Sequence, residues 1–385
     1  MMPCTYDALK ATAILIAVTL PLVLSSVSAQ VPSAPALPDC NASGPVRYVC
    51  GLAGPEDLAA VPQTKWLIAS AMQGEGGLYL IDTTQAQATG SKIFPTAGAE
   101  RFDRKEYGAC PGPLSVTQAV THGLYLKPGR GSVHTLYAVH HGDRESIEVF
   151  EVNAKATRPA VTWIGCAVVP DPVGINSVAA LPDGGFVLTN FDPRQPPPPG
   201  GGRGGGLSSK LAAGEQNGEI WEWHAKSGWA KVPGSDTAGA NGIEVSRDGK
   251  WVYIAQWGKQ SFLRLSRGKT PVERQEIPLG YRTDNIRWAP DGKTLIVAGQ
   301  GTVAAQPGAQ PGGQRGRGQA AQATVVVRVN PQTMMYEEVI RQAPHPACRL
   351  RRSPSRSATS CGWVHSAAIG SSATRLPRAS KLLKA

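Results

Sequence analysis

Residues 241–255 read Asn-Gly-Ile-Glu-Val-Ser-Arg-Asp-Gly-Lys-Trp-Val-Tyr-Ile-Ala, so that two alternating apolar runs flank an Asp-Gly turn. Asp-Gly between β-branched runs is a strong hairpin signal, because glycine adopts a positive φ at little cost. Four other stretches share this layout, and they start at Glu56, His122, Asn176 and Asp284. The pattern predicts a β-hairpin that is repeated along the chain.

The spacing of these hairpins indicates the architecture. Their starts at residues 56, 122, 176, 241 and 284 lie 43 to 66 residues apart. A period near 50 residues fits one four-stranded propeller blade per repeat. The sequence therefore predicts an all-β fold of the β-propeller type.

Oxygen-bearing side chains stand at the starts of most of these hairpins. The set comprises Glu56, Asn176, Asn241, Asp284 and Asn285. If the innermost strands surround a central channel, these residues converge on its axis, and carboxylate and amide oxygens suit Ca²⁺. Zinc would prefer His or Cys, which this set lacks. Taken one at a time, such residues at strand entries are ordinary turn residues.

Between about residues 50 and 300, short motifs form an ordered set: Glu56-Asp57-Leu, His122-Gly-Leu, Val139-His-His141, Asn176, Ala240-Asn-Gly-Ile243 and Asp284-Asn-Ile. Together they resemble the paraoxonase/arylesterase family. That family belongs to the wider senescence-marker-protein/gluconolactonase group of six-bladed propellers. The resemblance implies a six-bladed β-propeller with a central metal site.

The resemblance also implies an activity. The five oxygen-bearing residues match that family's catalytic-calcium ligands, and His122 and His141 match a histidine pair implicated in activating water. The implied reaction is hydrolysis of a lactone or aryl ester, in which calcium polarises the carbonyl and His122 takes a proton from water while His141 orients it. The neighbouring His140 leaves the identity of the second histidine open.

The chain departs from that family in several places. The family's second, structural calcium uses two Asp residues, and here Asp57 matches one of them while Ser177 replaces the other. Two Pro/Gly/Gln/Arg-rich inserts, residues 195–206 and 302–322, are expected to be mobile loops because they bury little apolar surface. Residues 344–385 show almost no strand-like alternation, which leaves open whether the last blade is complete.

The N-terminal sequence predicts export. Residues 1–29 combine Lys10, an apolar run and a Val27-Ser-Ala29 cleavage pattern, which is typical of a signal peptide. The rest of the chain is then divided into a propeller domain at residues 30–343 and a basic tail at residues 344–385. We therefore expect a secreted or periplasmic protein without stable membrane insertion.

The cysteines that remain after removal of the signal peptide are Cys40, Cys50, Cys110, Cys166, Cys348 and Cys361. Six cysteines in an exported chain suggest disulfides without fixing the pairing, and the family resemblance suggests Cys40 or Cys50 with Cys348.

The net charge of +11 comes mainly from the C-terminus, because residues 342–385 contain eight Lys or Arg and no Asp or Glu. No nucleic-acid recognition motif accompanies it, so no nucleic-acid partner is expected. Serine-hydrolase, P-loop and Rossmann signatures are also lacking. The prediction is a calcium-dependent hydrolase that acts on a small ester or lactone. The alternative is a non-catalytic, calcium-stabilised propeller that serves as a binding scaffold.

Overall fold

The computed structural model describes residues 49–342, with gaps at 53, 74–75, 86–87, 97–98, 116, 118, 195–206 and 303–321. All of these residues belong to one compact unit. The predicted signal peptide, the basic tail and the 195–206 insert lie outside the described residues, as does the 302–322 insert except for its two end residues. Within the described ranges, no helix is long and apolar enough to cross a bilayer.

Five β-sheets follow one another along the chain. Four of them contain four strands in sequence order, and the first contains a fifth strand as well. Blade 1 consists of β2 (Leu58–Ala60), β3 (Trp66–Ala71), β4 (Gly77–Asp82) and β5 (Ala88–Phe94), with the extra strand β1 (Val49–Cys50) parallel to β5. Blade 2 consists of β6 (Val120–Lys127), β7 (Val133–His141), β8 (Ser146–Asn153) and β9 (Ala160–Val168). Blade 3 consists of β10 (Ile175–Ala180), β11 (Phe186–Asn190), β12 (Ile220–His224) and β13 (Gly228–Lys231), with the short helix α1 (Ser209–Ala213) between β11 and β12.

Blade 4 consists of β14 (Ala240–Val245), β15 (Trp251–Gln256), β16 (Ser261–Ser266) and β17 (Arg274–Pro278). Blade 5 consists of β18 (Arg282–Trp288), β19 (Leu295–Thr302), β20 (Gln322–Val329) and β21 (Tyr336–Gln342). The first strands β6, β10, β14 and β18 contact one another from blade to blade, so they line the centre of the ring.

The all-β propeller prediction is confirmed. Each of the five predicted hairpins forms the antiparallel pair of first and second strands in one blade. Between residues 49 and 342 the structure describes five blades, and the sixth blade implied by the family resemblance is not among these residues.

Apolar side chains that alternate along the strands fill the space between blades. Between blades 3 and 4, for example, Val187 of β11 packs with Ile243 of β14, Ile254 of β15 and Leu263 of β16, all of them fully buried. Burying one such side chain contributes roughly 1.5–3 kcal/mol. The inter-blade layers therefore hold the first strands, and the polar residues on them, in fixed positions.

A disulfide joins Cys110, in the segment before β6, to Cys166 in β9, across 56 residues of sequence. This is one of the pairings that the cysteine count allowed. The pairing suggested by the resemblance, Cys40 or Cys50 with Cys348, lies outside the described side chains. The bond fixes the segment between blades 1 and 2 against the outer strand of blade 2.

Replacing Cys110 and Cys166 together by alanine should lower the free energy of unfolding by about 2–4 kcal/mol, because the crosslink restricts the unfolded chain. Urea unfolding of the oxidised protein and of the variant measures the difference. The variant should also lose the response that the parent shows to a reducing agent. Equal unfolding midpoints for the two proteins would contradict the expectation.

Candidate functional site

The first strands of blades 2 to 5 share an irregularity near their starts. In each of them, the register with the second strand shifts over two residues: His122-Gly123, Asn176-Ser177, Asn241-Gly242 and Asp284-Asn285. Such a β-bulge re-aims side chains and ends regular pairing. Every predicted site residue that lies on a first strand occupies one of these shifts, and Glu56 lies just before β2.

Two glycines in these shifts let neighbouring first strands approach closely. A Cβ atom on Gly123 would lie 2.4 Å from the carbonyl oxygen of Asn176, and one on Gly242 would lie 2.3 Å from that of Asp284. Neither distance is possible for a side chain, so both positions require glycine. The backbones that carry the predicted residues of blades 2 and 3, and of blades 4 and 5, are thereby brought side by side.

Threonine hydroxyls fix these strands to the neighbouring blades. Thr121 donates to the carbonyl oxygen of Gly77 in blade 1 at 2.6 Å, and Thr189 donates to that of Asn241 in blade 4 at 2.8 Å. Thr283 donates to the carbonyl oxygen of Ser261 at 3.1 Å. The starts of the first strands are therefore held by hydrogen bonds between blades as well as by packing.

Three amide oxygens at the site are buried without a hydrogen-bond donor among the described residues. They are the Oδ1 atoms of Asn176, Asn241 and Asn285, whose residues are 6%, 5% and 1% exposed. Leaving a buried polar atom without a partner costs about 1–3 kcal/mol. Three such oxygens on adjacent first strands fit a site that accepts a cation.

Buried carboxylates accompany these amides. Burial and the charge of Glu56 raise the pKa of Asp284 to about 8, although His122 and a hydrogen bond with Asn241 act in the opposite direction. Within the part of the chain that the structure describes, no three His, Cys, Asp or Glu side chains form a metal-holding group. Cation binding here therefore depends on the amide oxygens, and a divalent cation would relieve the repulsion between the carboxylates.

The two predicted histidines meet beside this cluster. His122 Nδ1 and His141 Nε2 are 2.9 Å apart, and His141 Nδ1 lies 2.9 Å from both carboxylate oxygens of Glu145. On the other side of the pair, His122 Nε2 lies 3.3 Å from Oε1 of Glu56. A continuous chain therefore runs from Glu145 through both histidines to the edge of the oxygen cluster.

Sequence reasoning missed Glu145 and left His140 open. In the structure His140 is fully buried and its Nδ1 lies 3.1 Å from the carbonyl oxygen of Arg144, because neighbouring residues of a strand face opposite sides. Glu145 lies in the turn after β7, four residues beyond His141. An acidic residue in the turn after a strand-ending histidine was the available signal.

The surroundings affect the two histidines in opposite directions. Burial acts to lower the pKa of His122, but the charge and hydrogen bond of Glu56, together with the charges of Asp284 and Asp57, raise it above the ordinary value. Burial lowers the pKa of His141 despite its hydrogen bond with Glu145. A cation among the carboxylates would offset the charges that raise the pKa of His122 and favour its neutral form.

No protein-family model matches the chain, and no curated protein sequence matches it. Similar solved structures include luciferin-regenerating enzyme, at 14% identity over 77% of this chain and 78% of that chain with a TM-score of 0.42. A chain of a nidogen/laminin complex is 12% identical over 76% and 81%, with a TM-score of 0.43. A putative 6-phosphogluconolactonase from Bacteroides uniformis is 13% identical over 73% and 68%, with a TM-score of 0.38. These similarities are too distant for any function to be carried over to this chain.

Proposed function

We propose that the protein is a calcium-dependent hydrolase of lactones or aryl esters, of the paraoxonase/arylesterase type. The observation that carries the proposal is the contact between the Glu145–His141–His122 chain and the buried oxygen cluster. A proton acceptor beside a cation site is the combination that metal-assisted ester hydrolysis requires. A calcium-stabilised scaffold would need the oxygen cluster alone.

The histidine chain leaves one nitrogen available as a base. In the tautomer where His141 Nδ1–H donates to Glu145, His141 Nε2 accepts from His122 Nδ1–H. When a bound cation favours the neutral form of His122, the lone pair of its Nε2, which lies 3.3 Å from Oε1 of Glu56, can take a proton from a water molecule beside the oxygen cluster. Glu145 and His141 act as positioning residues, because they hold the ring and the tautomer of His122.

The residues that would hold Ca²⁺ are Glu56, Asn176, Asn241, Asp284 and Asn285. Bound calcium would supply a Lewis acid for the ester carbonyl and for the oxyanion that develops on it. The protein contributes rigidity, because the glycine contacts and the threonine hydrogen bonds fix the strands that bear these oxygens.

Export to the periplasm or the cell exterior is part of the proposal. It is supported by the predicted signal peptide, residues 1–29, and by the Cys110–Cys166 disulfide, since disulfides persist in oxidising compartments. Millimolar calcium outside the cell would also suit a site of this kind.

The test is hydrolysis of aliphatic lactones, sugar lactones and phenyl esters by the purified protein, with calcium and after chelation, beside a Glu56→Ala variant. Turnover that disappears on chelation and in the variant is the expected result. Calcium binding by a folded protein that hydrolyses none of these substrates would favour the scaffold function instead.

Asn241→Ala should weaken calcium binding by at least about tenfold, because it removes one of the buried amide oxygens. Isothermal titration of calcium measures the effect. The matched control is Asn153→Ala, because the Asn153 amide oxygen accepts a hydrogen bond from the Lys155 N–H at 3.0 Å. Equal calcium affinity in the two variants would remove Asn241 from the ligand set.

A further inference from the structure

A largely buried arginine, whose side chain is 15% exposed, joins three blades. Arg287 of β18 is hydrogen-bonded through Nη2 to the Asp57 carboxylate, and the same nitrogen donates to the carbonyl oxygen of Leu124 in β6 at 2.5 Å. Its Nη1 donates to the Ile286 carbonyl oxygen at 2.7 Å. Blade 5 is thereby joined to blades 1 and 2 across the channel, over 230 and 163 residues of sequence.

Asp57 has no access to solvent, and its carboxylate is paired with the Arg287 guanidinium. Its side chain is 0% exposed and accepts hydrogen bonds from the backbone N–H groups of Leu58 and Leu124, each at 2.8 Å. A buried carboxylate is tolerated when it is paired with a cation and hydrogen-bonded. The charge of a second buried carboxylate, Glu244, also acts on Arg287.

The same oxygens would otherwise be ligands for a hard metal ion. A carboxylate and a backbone carbonyl are typical calcium ligands, and the guanidinium of Arg287 contacts both of them. The family resemblance implies a second aspartate for such an ion, and this chain lacks it. Ser177 stands at that position, and its buried hydroxyl has no hydrogen-bond partner among the residues described.

Ser177 lies close to this network through the tight contact between β6 and β10. A Cβ atom on Gly123 would be 2.9 Å from the Cα of Ser177, and Leu124 follows Gly123 directly. Compared with the aspartate that the resemblance implies, Ser177 carries one negative charge fewer, and a guanidinium carries one positive charge fewer than a divalent ion. The local charge would therefore be balanced in both arrangements.

We propose that the Arg287 guanidinium takes the place of a second, structural divalent cation. The chain consequently binds one divalent ion, at the oxygen cluster, and the contact between blade 5 and blades 1 and 2 is independent of calcium. The guanidinium joins the blades, and chelators cannot remove it because it is part of the chain.

The experiment counts calcium per folded chain by equilibrium dialysis for the parent protein and for Arg287→Ala/Ser177→Asp. The parent should bind one ion, and the double variant should bind one more and acquire a melting temperature that rises with added calcium. Arg282→Ala is the control, because Arg282 is exposed on the same strand and its guanidinium stacks on Trp257 at 4.0 Å. This control should leave the count unchanged.

Two bound ions in the parent protein would overturn the inference, as would an unchanged count in a folded double variant. The count of one rests on the proposed function, whereas the gain of one ion does not. A parent that binds none beside a variant that binds one would therefore reject the proposed calcium site alone.

A second comparison applies if the double variant does not fold. Arg287→Met should lower the melting temperature more than Arg287→Met combined with Asp57→Asn, because the combination also removes the Asp57 charge that the single change leaves buried without its cation. An equal or larger loss in the combined variant would show that the ion pair does not hold the blades, and would overturn the inference.

Discussion

His122→Gln should lower the turnover of the best lactone or ester by about 10²- to 10⁴-fold, the usual contribution of a positioned general base. Glutamine can still donate a hydrogen bond to His141, but its amide cannot take a proton from water. The fold should tolerate the change, because His122 lies near the start of β6 and its neighbours Thr121 and Gly123 provide the contacts between blades. Steady-state kinetics at saturating calcium measure the effect.

The matched control is His224→Gln. His224 also hydrogen-bonds a carboxylate, that of Glu222 at 2.7 Å, but it lies on β12, away from the first strands. The turnover of His224→Gln should stay near that of the parent protein. The turnover of Glu145→Gln should lie between those of His122→Gln and His224→Gln, because the change loosens the orientation of His141 without removing the base. Unchanged turnover in His122→Gln on every substrate would remove His122 from the mechanism.

The sequence predicted which hairpins and polar residues form this site, but it did not predict how their side chains are arranged. Hairpin turns and alternating apolar runs are local signals, so all five hairpins and the polar residues at their starts could be found without a structure. The register shifts at those starts are not local signals, because each depends on how a first strand meets both its partner strand and the next blade. The sequence therefore identified His122 and Asn241 as candidates without showing how their side chains are aimed.

The sequence also could not predict the contacts across the ring. Arg287 is two residues beyond Asn285, and by its position alone it is an ordinary strand arginine. Its role depends on Asp57, which lies 230 residues earlier and reaches it only when the ring has formed. Ser177 was recognised as a departure from the family pattern, but the guanidinium that balances its loss of charge could be seen only in the structure.

A second buried ion pair should have the largest effect on stability. Glu148 of β8 is fully buried, and its carboxylate accepts hydrogen bonds from Arg144 at 2.9 Å, from the Ser146 hydroxyl at 2.6 Å and from the indole N–H of Trp163 at 2.7 Å. Arg144 also donates to the carbonyl oxygen of Gly112 at 2.9 Å, in the segment that the disulfide anchors. The guanidinium therefore balances the buried charge of Glu148 and holds the loop beside it.

Arg144→Ala should lower the free energy of unfolding by about 3–5 kcal/mol, because it leaves the Glu148 carboxylate buried without its cation. Denaturant unfolding of the oxidised protein measures the loss. The matched control is Arg101→Ala, since Arg101 pairs with Glu151 at 2.6 Å but its own side chain is 65% exposed. Exposed pairs contribute up to about 1 kcal/mol, so the two variants should differ several-fold. Similar losses in both would mean that solvent reaches Glu148 and that its burial does not determine the energy of the pair.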